Sequence, residues 1–148
     1  MFERILVVCE GNICRSPVGE FMLREHLPGR DISSAGLSGL EGHDMDPVMR
    51  EIALENGLDC PTHVARRLKP SMCRRAELIL VMERQQRERI GRATPEALGK
   101  VLLMGKWLDE ETEIPDPFRR ERDHYERAYR QLDSAARAWS RQLTWGGQ

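Results

Sequence analysis

The chain has 148 residues, 32% of them charged, and a formal net charge of −1, which suits one domain with a sizeable core and argues against nucleic-acid binding. Its four cysteines are too few and too scattered for a disulfide scaffold. Glu3 and Arg4 precede an apolar run of only four residues, at positions 5–8, and no run approaches membrane-spanning length, so we expect a cytoplasmic protein without membrane insertion.

Short apolar runs alternate with helical patterns along the chain. The runs that favour β-strands cover residues 5–8, 31–36, 77–82 and 100–104. Helical spacing covers residues 17–27, 47–54, 83–90 and 125–143, and Asp46 with Pro47 marks the start of the second of these helices. This alternation predicts one α/β domain over residues 1–143, built on a four-stranded, parallel, twisted sheet with helices on both faces. Residues 144–148 are predicted to form a flexible tail.

Residues 7–17, which span the end of the first strand and the turn after it, read VVCEGNICRSP. They place Cys9 and Arg15 in a C-x5-R pattern between a buried strand and a helix. Gly11 and Asn12 tolerate left-handed backbone conformations. The turn can therefore curl so that successive N–H groups point inward, at the positive end of the helix. We interpret it as an N-terminal phosphate-binding loop.

A second C-x5-R match runs from Cys60 to Arg66. No strand pattern precedes it, and its interval contains no glycine. The spacing alone is a weak signal in a chain rich in arginine, so the context decides. Only the first match is predicted to build an anion cradle.

The chemistry expected of the first loop is phosphoryl transfer through a cysteine. A free cysteine is largely protonated at neutral pH, whereas N–H dipoles, a helix N-terminus and Arg15 together favour the reactive thiolate. The same groups would hold a dianionic phosphoryl group, which Arg15 would grip by two parallel hydrogen bonds. Cys9 would then lie beneath the phosphorus as the nucleophile.

The segment CEGNICRSP resembles the signature loop of the low-molecular-weight protein tyrosine phosphatases. The resemblance extends through Ser34-Ala35-Gly36, His63-Val64-Ala65-Arg66 and the IPDPF segment at residues 114–118. The chain is most similar to the bacterial branch, which partners autophosphorylating tyrosine kinases of capsule and exopolysaccharide export. The resemblance implies hydrolysis of phosphotyrosine in a protein substrate, through a cysteinyl-phosphate intermediate. We expect no cofactor, no metal ion and no nucleic-acid partner, and we expect a monomer.

The same resemblance implies a role for each matching residue. Cys9 would be the nucleophile, Arg15 the phosphate clamp, and Asp116 the general acid for the phenolate and then the base for water. Ser16 would stabilise the departing thiolate, and Asn12 would hold the loop backbone. The further loop and supporting residues are Glu10, Gly11, Ile13, Cys14, Ser34 and His63, and the predicted walls for the substrate ring are Leu40 and Phe118.

Two loop residues leave alternatives open. If the Glu10 carboxylate faces outward it has little effect, whereas at the rim of the site it would disfavour acidic peptides. Cys14 is not required for phosphatase chemistry. It is either a small buried apolar residue or a thiol that traps oxidised Cys9 as a disulfide.

Two other functions compete with the phosphatase. An arsenate reductase on the same fold would need a relay of resolving cysteines, normally a close pair on a mobile segment late in the chain, and only Cys73 is a candidate for that role. A non-catalytic phosphotyrosine-binding module would not need Cys9, Arg15 and Asp116 together.

The arginines at positions 119, 120 and 122 are either an exposed helix start or a contact for phosphorylated tails.

Overall fold

One parallel sheet forms the centre of the computed structural model, which describes residues 2–38 and 40–145. Its order is β2-β1-β3-β4, and every neighbouring pair is parallel. The strands are β1 (Arg4–Cys9), β2 (Asp31–Gly36), β3 (Leu78–Val81) and β4 (Val101–Leu103). The central strand β1 is buried along almost its whole length, because helices cover both faces of the sheet. The predicted four-stranded parallel sheet is confirmed.

The helices divide between the two faces. On the face of Ile5 and Val7 lie α1 (Arg15–His26), α2 (Pro47–Glu55) and α5 (Arg122–Trp145). On the face of Leu6 and Val8 lie α3 (Pro70–Arg75), α4 (Arg84–Ala93) and a 3₁₀ helix (Pro95–Lys100). The helical pattern in the sequence did not predict α3 and the 3₁₀ helix, since six residues are too few to show a period.

Helix α1 begins at Arg15 rather than at Pro17, so the predicted start was two residues late. Pro17 is tolerated inside the first turn because N–H groups there have no intrahelical acceptor to lose. The earlier start matters for the site. It places Arg15 and Ser16 in the first turn. The backbone N–H of Ser16 has no intrahelical acceptor there and donates to Sγ of Cys9 at 3.4 Å.

The longest helix, α5, packs against α1 and α2. Its predicted apolar positions are buried, among them Tyr125, Leu132 and Trp139. It continues to Trp145, into the segment predicted as a tail, while residues 146–148 lie outside the described residues. Within residues 2–38 and 40–145, no helix is long and apolar enough to cross a membrane.

Candidate active site

The loop of residues 10–14 joins the carboxyl end of β1 to the first turn of α1. It rests on the end of β2, where the N–H of Ser38 donates to the carbonyl oxygen of Glu10 (2.9 Å). A Cβ at Gly36 would lie 2.8–2.9 Å from three backbone atoms of residues 10–12. Glycine at position 36 therefore lets the loop approach the sheet, a role that the sequence analysis did not assign.

The backbone of the loop leaves its N–H groups free. Among the described residues, no atom accepts a hydrogen bond from the N–H groups of residues 11–14, although Asn12, Ile13 and Cys14 are buried. Buried backbone donors almost always have an acceptor. A run of such donors at a helix N-terminus fits a bound oxyanion.

The left-handed residue of the loop is Asn12, with φ of 59°. Gly11 tolerates a left-handed conformation but does not adopt one, since the described glycines with positive φ are Gly29, Gly42 and Gly57. Gly11 has a steric role instead. A Cβ at this position would lie 2.9 Å from Cδ1 of Leu40, so glycine leaves room for the Leu40 side chain.

Asn12 is the centre of a hydrogen-bond network beneath the loop. Its Nδ2 donates to Oγ of Ser16 (2.8 Å) and to Oγ of Ser34 (2.9 Å). Its Oδ1 accepts from the N–H of Arg66 (3.0 Å). Nε2 of His63 donates to the backbone carbonyl oxygen of Asn12 (2.6 Å). The structure thus brings together the expected supporting residues.

A buried carboxylate, Glu20, sets the direction of this network. It accepts a hydrogen bond from the Ser34 hydroxyl at 2.6 Å. Because Ser34 donates to Glu20, its oxygen accepts from Asn12, and Ser16 also accepts from Asn12. When Cys9 is a thiolate it can only accept, so the Ser16 hydroxyl then donates to its Sγ, 2.9 Å away. The network therefore presents a hydroxyl donor to the sulfur.

Glu20 was not predicted from the sequence, since a glutamate in a helix is usually solvated. A signal was present in the spacing. Glu20 lies four residues after Ser16 in α1, and side chains four apart share a helix face.

Arg15 is a buried cation, 1% exposed, at the edge of the loop. Its Nη1 donates to Oε1 of Glu83 (2.7 Å) and to the carbonyl oxygen of Ile114 (2.8 Å), and its Nη2 lies 3.7 Å from Oδ2 of Asp116. Burial alone would lower the pKa of Arg15, but the neighbouring Cys9, Glu83 and Asp116 raise it. Nε has no partner among the described residues. Glu83 was not expected from the sequence.

Asp116 and the predicted ring walls surround the mouth of the site. A cleft of about 280 Å³ is lined by Cys9, Arg15, Asp116, Leu40 and Phe118, together with other loop residues. Asp116 is 41% exposed at its side chain, and its Oδ1 accepts from the N–H of Phe118 at 3.1 Å. A cleft of this size admits one aromatic ring carrying a phosphoryl group.

Tyr125 and Asp46 connect the loop to the segment that carries Asp116. The Tyr125 hydroxyl donates to Oδ2 of Asp46 (3.1 Å) and accepts from the N–H of Arg119 (3.2 Å). The N–H of Asp46 in turn donates to the carbonyl oxygen of Ile13 (2.8 Å). Burial raises the pKa of Tyr125 to about 12, so its hydroxyl stays protonated as a donor. From the sequence, Asp46 was predicted only as a helix start.

The remaining cysteines differ in position and environment. Cys14 is buried, and burial raises the pKa of its thiol well above the usual range. Cys73 packs with Leu6 and Val8, on the face of the sheet opposite Cys9. No group of three or more potential metal ligands occurs within residues 2–38 and 40–145.

The arginines at positions 119, 120 and 122 were given two alternative roles from the sequence. Arg122 forms ion pairs with Glu51 and Glu55 at 2.6 Å each, which is typical of an arginine at an exposed helix start. Arg119 has φ of 64° and stacks over the Phe118 ring at 5.1 Å.

Comparison with known proteins gives full-length matches. The family model described as low molecular weight phosphotyrosine protein phosphatase matches residues 4–147. The low molecular weight protein-tyrosine-phosphatase Etp of Escherichia coli K12 is 43% identical, covering 97% of this chain and 96% of Etp. Wzb of E. coli K30, solved in complex with sulphate, is 43% identical with a TM-score of 0.94, covering 97% and 99% of the two chains. The Erwinia amylovora tyrosine phosphatase AmsI is 44% identical with a TM-score of 0.91, covering 94% and 91%.

Proposed function

The chain belongs to the low molecular weight phosphotyrosine protein phosphatase family, and we propose that it hydrolyses phosphotyrosine in proteins with Cys9 as the nucleophile. The observation that carries this assignment is that the N–H groups of residues 11–14 have no acceptor among the described residues, in a loop that lines one cleft with Cys9 and Arg15. This arrangement suits the three equatorial oxygens of a phosphoryl group in transfer. A sulphate, which is also a tetrahedral oxyanion, is bound in the structure of the related Wzb.

In the first step the Cys9 thiolate attacks phosphorus, and the bond from phosphorus to the phenolic oxygen breaks. Asp116 gives its proton to the departing oxygen, so tyrosine leaves as a neutral phenol. Arg15 and the loop N–H groups balance the charge on the phosphoryl oxygens throughout. The product of this step is a phosphocysteine at position 9.

In the second step water attacks the same phosphorus, and Asp116 accepts the proton that water releases. The sulfur–phosphorus bond breaks, and inorganic phosphate and the Cys9 thiolate form. The Ser16 hydroxyl, 2.9 Å from Sγ, donates to the sulfur as its negative charge returns. Glu20 supports the network behind Ser16, because it accepts from Ser34 and so leaves the Ser34 oxygen to accept from Asn12.

The position of Cys73 argues against the arsenate reductase alternative. A resolving thiol must reach the nucleophile, whereas Cys73 is buried on the opposite face of the sheet. Cys60 is half-buried in the segment that supplies His63 to the loop. The Asp116 carboxylate beside the cleft suits a leaving group that needs a proton.

The activity is tested by p-nitrophenyl phosphate and a phosphotyrosine peptide, set against thiol-coupled reduction of arsenate by the same preparation. We expect hydrolysis of both phosphate esters and no arsenate reduction. Reduction of arsenate without ester hydrolysis would overturn the assignment.

We also propose that the physiological substrate is an autophosphorylating bacterial tyrosine kinase that regulates exopolysaccharide or capsule production. The support is the similarity to the bacterial members Etp, Wzb and AmsI over nearly the whole chain. The test uses Cys9→Ser as a substrate trap. The variant should retain the phosphorylated kinase and release it with vanadate, whereas equal retention of the unphosphorylated kinase would contradict the proposal.

A further inference from the structure

The loop carries an acidic side chain where its charge would oppose substrate binding. Glu10 follows the nucleophile directly and lines the same cleft as Cys9, Arg15 and Asp116. A phosphate monoester bound there carries two negative charges near neutral pH. A free carboxylate on the rim would repel it, or would compete with it for Arg15.

The Glu10 carboxylate is held by Arg89 of α4. Nη1 of Arg89 donates to Oε1 (2.7 Å) and Nη2 donates to Oε2 (3.2 Å). Both carboxylate oxygens are therefore engaged by one planar guanidinium, the geometry that most restricts a carboxylate. Nη1 also donates to Oε1 of Gln85, one turn earlier on α4 (3.3 Å), which orients the arginine.

Two further observations indicate that this pair acts on the charge and position of Glu10 at the cleft rather than on folding stability. The side chains of Glu10 and Arg89 are 35% and 36% exposed, and a pair so exposed adds little to folding stability. Hydrogen bonding to Arg89 lowers the pKa of Glu10. The carboxylate therefore stays ionised beside Arg89. What Arg89 supplies is a fixed position and a compensating charge.

We propose that Arg89 is a positioning residue of the phosphatase reaction, which holds the Glu10 carboxylate on the α4 side of the rim and keeps it out of the phosphate cradle. The inference rests on the proposed function, since it concerns binding of the same phosphoryl group. It answers the question that Glu10 raised in the sequence. An acidic residue is compatible with this loop because a second helix holds and neutralises it.

The test is a cycle of substitutions with p-nitrophenyl phosphate as substrate. Arg89→Gln should raise KM on the order of 10-fold at low ionic strength, because a fixed, neutralised charge becomes a free one near the dianion. The change in kcat should be smaller than about threefold, since Cys9 and Asp116 are untouched. Raising the salt concentration should reduce the KM effect.

Three further variants separate position from net charge. Arg92→Gln removes the same charge from an exposed site on α4 and should change KM by less than about twofold. Adding Glu10→Gln to Arg89→Gln should lower KM again by about as much as Arg89→Gln raised it. Arg89→Lys should give an intermediate KM, because lysine keeps the charge but cannot grip both oxygens.

Equal KM values for Arg89→Gln and Arg92→Gln would overturn the proposal. So would a double variant as impaired as Arg89→Gln, since that result would mean that Arg89 only braces the loop. Calorimetric binding of inorganic phosphate to the same proteins should follow the same order. If the unaltered protein hydrolysed no phosphate ester, the proposed function would fail, while phosphate binding would still decide the role of Arg89.

Discussion

Gly36→Ala tests whether the close approach of the loop to β2 matters for catalysis. The added Cβ would lie 2.8 Å from the carbonyl oxygen of Glu10, 2.9 Å from the nitrogen of Asn12 and 2.9 Å from the carbonyl carbon of Gly11. Ordinary contacts of a Cβ begin near 3.4 Å, so the loop must move by roughly half an ångström. All of these atoms belong to the backbone, and no side chain can rotate away to relieve the contact.

Overpacking of this kind costs about 1–3 kcal/mol. For a domain of this length each kcal/mol lowers Tm by about 2–4 °C. The larger effect should be on the rate, because misplacing a catalytic group by about 1 Å reduces it on the order of 100-fold. We expect kcat/KM for p-nitrophenyl phosphate to fall by about 10- to 100-fold, with the fold retained by circular dichroism.

The matched control is Gly99→Ala, in the 3₁₀ helix, where an added Cβ meets no atom within 4 Å. It should alter neither Tm nor activity measurably. A Gly36→Ala protein with kcat/KM within twofold of the unaltered enzyme would refute the reasoning. It would mean that the loop N–H groups need not hold the positions seen here.

Other substitutions test the remaining groups of the site. Arg15→Lys should reduce kcat/KM severely, because a point charge cannot grip two phosphoryl oxygens; near-normal activity would contradict the clamp role. Asp116→Asn should lower kcat by about 10²–10⁴-fold on phenolic esters, the usual size of acid–base catalysis, and by less when the leaving group needs no proton; equal losses on both would point to a different acid. Cys14→Ser should turn reversible inactivation by peroxide into irreversible loss, measured as activity recovered with dithiothreitol, because the disulfide with Cys9 could no longer form. Equal recovery in both proteins would leave Cys14 as a packing residue.

Much of the fold follows from patterns within short stretches of sequence. The strand at residues 31–36 was predicted at its observed bounds, and Asp46 with Pro47 marked the start of α2. These features depend on apolar spacing and on caps, which are local. The start of α1 was misplaced because proline is allowed at several positions of a first turn.

The contacts of the site depend on residues far apart in the chain. Glu83 and Arg15 are 68 residues apart, and Arg89 and Glu10 are 79 apart. Nothing local distinguishes these charged residues from solvated ones, so only the folded arrangement pairs them. The role of Gly36 could not be predicted from the sequence for the same reason, because it depends on the backbone of residues 10–12, which packs against this glycine.

The central claim is that Cys9 carries the phosphoryl group between the two steps. It is tested most directly by mixing enzyme with p-nitrophenyl phosphate, quenching within milliseconds and mapping the labelled peptide by mass spectrometry. We expect one phosphoryl group on Cys9, and neither label nor turnover in Cys9→Ser. A phosphoryl group on another residue, or steady turnover by Cys9→Ser, would contradict it.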